Sequence, residues 1–168
     1  MGDYLVKLYD LPDVSGVMAK LEKEGIRILR PKSFQKTFVL KFIKKRWHRN
    51  WADECDGCFS KLPITCFMAV KDKKVIGFSC YDTTMKGFFG PTGVCEKFRG
   101  MGIGKALCVK ALEAMHHEGY GYAIIGGGID GFYVKAVNAI PIEGSSPGVY
   151  DCKLEDEEDI DEEGKGNG

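Results

Sequence analysis

Arg99-Gly100-Met101-Gly102-Ile103-Gly104-Lys105 is the stretch whose residue types and spacing can do chemistry. Its three glycines at alternate positions let the backbone turn tightly and present bare N–H groups. The segment 92–95 ahead of it reads as the end of an apolar strand, and 106–117 behind it as an amphipathic helix. A helix N-terminus adds unpaired N–H groups and the positive end of the helix dipole, both favourable to an anion. Strand, glycine loop and helix in that order make a phosphate cradle. A magnesium-dependent P-loop is excluded by spacing. Arg99 stands where the first glycine of G-x-x-x-x-G-K-[ST] belongs, and Ala106 replaces the metal-binding hydroxyl. The dinucleotide fingerprint G-x-G-x-x-G fails here too, because Leu107 takes the place of the third glycine. Gly126-Gly127-Gly128-Ile129-Asp130-Gly131 does match it and follows a strand, so a nucleotide-dependent oxidoreductase is a competing reading. The short helix behind that loop, with Pro141 and Pro147 beyond, speaks against it.

Cysteine is the other residue type with chemical potential. Cys55-Asp56-Gly57-Cys58 has the spacing of half a zinc site, but no second C-x-x-C or H-x-x-x-H follows, so no metal is expected. Four of the seven cysteines lie inside apolar runs, as in Thr65-Cys66-Phe67 and Ser79-Cys80-Tyr81, and read as small core residues of a protein in a reducing compartment.

Several elements must position the loop. Residues 4–9 alternate as a strand, and Val14, Val17, Met18 and Leu21 mark one face of a helix that ends at Gly25. Residues 26–29 are a short extended piece. Ser33 is placed to cap a longer helix with the stripe Phe34, Phe38, Phe42, Ile43, Trp47 and Trp51, and 50–63 reads as a loop. That helix packs on a core with a solvated basic face, or part of it walls a cleft for an anionic or bulky ligand. Residues 64–71 and 75–81 form a hairpin around Asp72-Lys73-Lys74, and 88–95 returns as a third strand. Gly90, Pro91 and Gly93 weaken ladder pairing in that strand and predict a bulge or a close backbone approach. A buried strand at 122–125, a short helix at 132–137 and extended pieces at 139–142 and 148–152 complete the pattern.

A chain of 168 residues suits one domain, 1–154, followed by an acidic tail, 155–168. Its 24 basic and 24 acidic side chains cancel, but eight carboxylates crowd into the tail, which is expected to be disordered. The body is therefore basic, which either attracts an anionic cofactor or nucleic acid or is an ordinary solvated surface. With no signal peptide and no apolar run approaching the ~20 residues that span a bilayer, a cytoplasmic protein without membrane contact is expected.

Arg99-Gly100-Met101-Gly102-Ile103-Gly104 satisfies R/Q-x-x-G-x-G/A, and Phe132-Tyr133-Val134-Lys135 stands where F-Y-x-K would follow. Over residues 33–152 the chain resembles the GNAT superfamily of N-acetyltransferases. That resemblance implies an α/β (α+β) single-domain fold with a mixed, mostly antiparallel sheet of about six or seven strands. The sheet would splay at the cofactor strand and be flanked by about four helices. It implies acetyl-CoA as cosubstrate and direct attack of a primary amine on the thioester, or else a non-catalytic acyl-CoA-binding module. Thr92, Gly93 and Val94 would bond the pantetheine arm, with a backbone N–H near Val94 facing the oxyanion. Arg99, Gly100, Met101, Gly102, Ile103, Gly104 and Lys105 would hold the pyrophosphate. Tyr133 would be the general acid, and Asp82 and Glu96 are candidate bases beside water. An Asn often precedes F-Y-x-K in the family; Gly127-Gly128-Ile129-Asp130 replaces it, with Asp130 able to serve. The partner is an amine acceptor bound through 33–63 and 139–152, which offer Trp47, Trp51, Asp53, Glu54, Asp56 and Glu143. No nucleic acid is expected, and the chain would act as a monomer or homodimer.

Overall fold

The computed structural model describes residues 1–128, 131–151 and 154. Asp130, Cys152 and the acidic tail lie outside the described residues. Seven strands form one sheet in the order β2-β3-β4-β5-β6-β1-β7. They are β1 (Tyr4–Lys7), β2 (Arg27–Leu29), β3 (Cys66–Lys71), β4 (Lys74–Tyr81), β5 (Phe88–Val94), β6 (Tyr122–Ile125) and β7 (Ile140–Pro141). Every neighbouring pair is antiparallel except β5 and β6. That parallel pair is short, with only Phe88 opposite Ile124 and Phe89 opposite Ile125. Among the described residues five helices cover the sheet: α1 (Ser15–Lys23), α2 (Lys36–Lys44), α3 (Arg49–Cys58), α4 (Ile103–His117) and α5 (Phe132–Val137). This is the mixed, mostly antiparallel α+β architecture expected, splayed at β5.

Side chains alternate across a strand, so one sheet can hold two cores. On β3 and β4, Cys66, Met68, Phe78 and Cys80 pack with α2 and α3. Ala69 and Ile76 pack with Leu21 of α1 and with Ile103, Ala106 and Leu107 of α4, while Tyr81 joins the cluster of Cys108, Leu112 and Met115 on the same helix. A register shift between Ala69 and Val70 lets Val75 face α2 and α3 and Ile76 face α4, breaking strict alternation.

Residues 33–63 differ from the pattern read in the sequence. Ser33–Gln35 is a 3-10 turn and α2 stops at Lys44. Its inner face is Val39, Phe42 and Ile43, while Phe34 and Phe38 are 74% and 67% exposed. At 3.6 residues per turn each four-residue step drifts by about 40°, so a stripe of fours leaves the core face within two steps. The expected loop 50–63 contains α3, which buries Ala52, Cys55 and Cys58. Asn, Asp and Gly masked this helix; with cysteine counted as a small hydrophobe, the i, i+3 spacing was present. The extended piece predicted at 148–152 is not a strand over 148–151.

The helix that follows the glycine loop is held close to β4. Ser79 Oγ donates to the Leu107 carbonyl at 3.0 Å. At Gly77 a Cβ would lie 3.0 Å from Leu107 Cδ1 and 3.3 Å from the Gly93 carbonyl oxygen. Gly77→Val should therefore cost about 1–3 kcal/mol by overpacking. Urea denaturation measures this; wild-type stability in the variant would show that α4 has room to retreat from the sheet.

Candidate functional site

Among the described residues, strand β5 beyond Phe89 has a partner only on its β4 side, where Thr92, Gly93 and Val94 stand opposite Ser79, Phe78 and Gly77. The Cys95 N–H donates to the Ile76 carbonyl at 2.8 Å. Successive N–H groups of a strand point to opposite edges, so those of Val94 and Thr92 face the open edge. The Thr92 hydroxyl is turned back and donates to the Phe78 carbonyl at 2.9 Å. A short strand pairing and a helix thus frame a gap with free backbone donors.

The loop after β5 closes that gap from one end. Residues 96–98 form a 3-10 turn, and Gly100 and Gly102 take φ of 83° and 89°, the left-handed region that suits glycine. Gly102 is also the residue at which α4 starts, and its carbonyl accepts the first helical hydrogen bond, from Ala106. The N–H groups of Ile103, Gly104 and Lys105 are thereby left at the helix N-terminus, pointing out toward an anion. Space at this turn is limited, since a Cβ on Gly102 would lie 2.8 Å from Val17 Cγ1.

A cavity of about 470 Å³ runs along this gap. Thr92, Gly93, Val94, Arg99, Gly100, Gly102, Ile103, Gly104, Lys105 and Tyr133 all line it, so the structure gathers these predicted residues in one place. Met101 alone of the loop does not line it; its side chain turns to solvent. Trp47 and Trp51 form the opposite wall, their ring centroids 5.6 Å apart. Trp47 lies so close to β5 that a Cβ on Gly93 would sit 2.6 Å from its Cζ2. Phe98 and Phe132 complete the apolar lining, two residues the sequence had given no role in a wall. Phe132 was legible only as the first letter of F-Y-x-K.

Tyr133, the second residue of α5, packs its ring edge-on against Phe132 and Phe89, with centroids 5.0 and 6.0 Å apart. Burial, and then the neighbouring Cys108 and Tyr150, push its phenol well above the usual value, so it stays protonated. Among the described residues its hydroxyl has no hydrogen-bond partner. A smaller cavity of about 140 Å³ lies under Gly126, Gly127 and Gly128 and shares Trp51, Thr92 and Tyr133 with the larger one. Gly128 is needed there, because a Cβ would come within 2.7 Å of Tyr133 Cε2. Tyr150, for which the sequence carried no signal, lines the smaller cavity and donates from its hydroxyl to Glu54 Oε1 at 3.1 Å.

Neither candidate base lines the larger cavity. Asp82 sits in a turn with φ 54°, its Oδ1 accepting from the Gly87 N–H at 2.6 Å and its Oδ2 from Tyr120 at 2.8 Å. It lines a separate open depression with Glu118 and Tyr120, outside the cavity of the glycine loop. Burial and the Asp82 carboxylate push Tyr120 up to about 12. Glu96 is 86% exposed, 3.9 Å from Arg99 Nη1, and lines with Arg46 and Lys97 a neighbouring groove that shares Trp47, Val94 and Arg99 with the cavity.

Residues 26–130 match the model of the acetyltransferase (GNAT) family. The chain belongs to that family. No curated protein matches it. Among solved structures it is similar to the GCN5-related glucosamine N-acetyltransferase region of a fungal multi-domain GH3 β-N-acetylglucosaminidase. The TM-score there is 0.67 at 15% identity, over 84% of this chain and 19% of that one. A GCN5-related N-acetyltransferase from Sphaerobacter thermophilus gives 0.66 at 16% identity, over 84% and 48%. A GNAT-family acetyltransferase from Brucella melitensis in complex with acetyl-CoA gives 0.52 at 16% identity, over 73% and 92%. The chain thus spans about a fifth and about half of the first two relatives. Among the described residues no helix is long and apolar enough to cross a membrane.

In this GNAT chain Asp82 holds a turn. Asp82→Ala should cost about 1–3 kcal/mol, because the Gly87 N–H and the Tyr120 hydroxyl lose their acceptor. Denaturation combined with a thiol-release assay separates the roles. Lost turnover at unchanged stability would return Asp82 to the list of bases.

Proposed function

We propose that the chain transfers an acetyl group from acetyl-CoA to a primary amine by direct attack on the thioester. The observation that carries this reading is the gap between β5 and β6, closed at one end by the α4 N-terminus and at the other by Tyr133. The residues present fit the family's cosubstrate. N–H groups of residues 103–105 and the Arg99 and Lys105 side chains suit a pyrophosphate, and the open edge at Thr92 and Val94 suits an amide-bearing arm. Bound there, acetyl-CoA supplies an activated acyl carbon and a thiolate leaving group.

The chain's own groups then have definite tasks. The Val94 N–H donates to the oxygen on which charge develops, an effect of ~3 kcal/mol for one such donor. Tyr133 holds a proton for the departing sulfur; its hydroxyl has no competing partner among the described residues, and its raised affinity for the proton keeps it loaded at neutral pH. Trp47 and Trp51 exclude water from the larger cavity. The smaller cavity beneath Gly126, Gly127 and Gly128 is the approach for the amine, with Glu54 on that side through Tyr150. A deprotonated amine needs only water to take its proton, which suits a cavity that neither Asp82 nor Glu96 lines. Residues 1–154 act as one unit in the cytoplasm. The oxidoreductase reading loses its support, because the helix behind Gly131 has six residues and gathers little dipole.

Three measurements test the proposal. At about 100 times its dissociation constant, acetyl-CoA should stabilise the fold by ~2.7 kcal/mol in thermal unfolding. Gly102→Val, which strains φ and meets Val17, should abolish that shift, while Met101→Ala should preserve it. Tyr133→Phe should lower thiol release with an amine panel by about 100-fold or more while keeping acetyl-CoA binding. Binding without thiol release from any amine would make the chain an acyl-CoA-binding module; no binding at all would remove the acetyl-CoA reading.

A further inference from the structure

Four of the cysteines converge in the core between α3 and the sheet, away from the cleft. Cys66 on β3 and Cys80 on β4 are directly opposed in the antiparallel register, so their side chains leave the sheet on the same face. Cys55 and Cys58, one helical turn apart on α3, come down onto that face. The sulfurs of Cys55, Cys66 and Cys80 all lie within 4.8 Å of one another, and Cys55 and Cys66 are 3.9 Å apart. The Cys58 sulfur lies 3.8 Å from the Glu54 carbonyl oxygen and is packed in the same buried cluster. All four residues are fully buried. A tetrahedral zinc with Zn–S of about 2.3 Å sets its sulfurs about 3.8 Å apart, close to the 3.9 Å between Cys55 and Cys66; Cys80 lies within 4.8 Å of both, and Cys58 would close on the ion as the fourth ligand.

We propose that Cys55, Cys58, Cys66 and Cys80 form a structural site for one zinc ion that fastens α3 to β3 and β4. Filling it converts four thiols and Zn²⁺ into a tetrathiolate complex of charge −2 and releases four protons to solvent; nothing is oxidised or reduced.

Three features of the surroundings favour a metal over four inert core thiols. The Thr65 hydroxyl is 4% exposed and has no hydrogen-bond partner, yet it sits beside Cys58, where a thiolate would accept its proton. Arg30 supplies compensating positive charge near Cys66. Its Nη1 donates to the Ile64 carbonyl and to the Tyr81 hydroxyl, and its guanidinium lies over the Phe67 ring at 4.6 Å. Such outer partners orient and neutralise thiolate ligands. Finally, α3 is ten residues long, contains Asn, Gly and three acidic residues, and has no side-chain cap at its start. A helix of that composition has little stability of its own and gains from a metal clamp. The site is closed to solvent, so the ion enters as the chain folds.

The test uses the full chain purified with reductant and without chelator. Elemental analysis should find about one zinc per chain, and a mercurial thiol reagent should release it into a chromogenic zinc indicator. Refolding with Co²⁺ under anaerobic reducing conditions should give the intense d–d bands of tetrahedral cobalt and thiolate-to-cobalt charge transfer. Cys66→Ser and Cys80→Ser should lose that spectrum, whereas Cys108→Ser, a buried thiol outside the cluster, should keep it. Should the serine variants fail to fold, the wild-type metal content and cobalt spectrum still decide. Zinc far below one equivalent together with no tetrahedral cobalt spectrum in the reduced protein would overturn the site. So would a full spectrum in Cys66→Ser.

Discussion

The structure depends on an unfinished strand pairing. β5 lies in the middle of the sheet, where each backbone group ordinarily finds a partner on both sides, yet among the described residues it is bonded only to β4 beyond Phe89. Buried backbone donors left without partners cost free energy comparable to a lost hydrogen bond. The chain tolerates the opening because it is a cleft, reached by solvent or by a ligand able to complete the ladder. Everything around it keeps it open. Ser79 and Gly77 bring α4 tight against β4 on one face, and Trp47 lies over Gly93 on the other. Phe89, the last residue paired with β6, carries the ring on which Tyr133 rests.

Those constraints explain which parts were legible in the sequence. The glycine loop could be read because its demands are local: positive φ at Gly100 and Gly102 and bare N–H groups at a helix start are properties of consecutive residues. The splay was legible for the same reason, through Gly90, Pro91 and Gly93. Tyr133 was visible only through its place in F-Y-x-K, and its environment of Phe89, Cys108 and Tyr150 is assembled from distant segments. Asp82 shows the opposite failure. Proximity in sequence to strand β4 suggested the cleft, but a left-handed turn carries its carboxylate to Gly87 and Tyr120. The walls contributed by Trp47 and Trp51 were seen as a helix stripe, and the break between α2 and α3 that orients them was not.

The cysteines were the least legible feature, for a reason that lies in sheet register. A C-x-x-C pair announces itself because both residues share one helix face. Cys66 and Cys80 are separated by a hairpin and become a pair only when β3 and β4 align with those two residues opposite each other. A shift of one residue would send one sulfur to the α4 side of the sheet. Small apolar core residue and metal ligand are therefore the same reading at the level of sequence, and only the fold separates them.

The two centres are joined through a single helix. Trp51, Cys55 and Cys58 stand four and three residues apart on α3, which puts them along one stripe. The first residue of that stripe walls the cofactor cavity and packs on Trp47 and Phe78, while the other two lie against Cys66 and Cys80. Glu54, between them, reaches Tyr150 at the smaller cavity. Helix α3 has weak intrinsic propensity, so its position must come from what it touches, and the thiol cluster is the deepest of those contacts. Clamping the helix by its sulfurs fixes how far Trp51 leans over β5, and hence the width of the cleft at the end where Tyr133 would meet the thioester. The chain can thus hold an open strand edge without a long helix above it, because one turn of α3 is anchored in the core and the turn before it forms the wall.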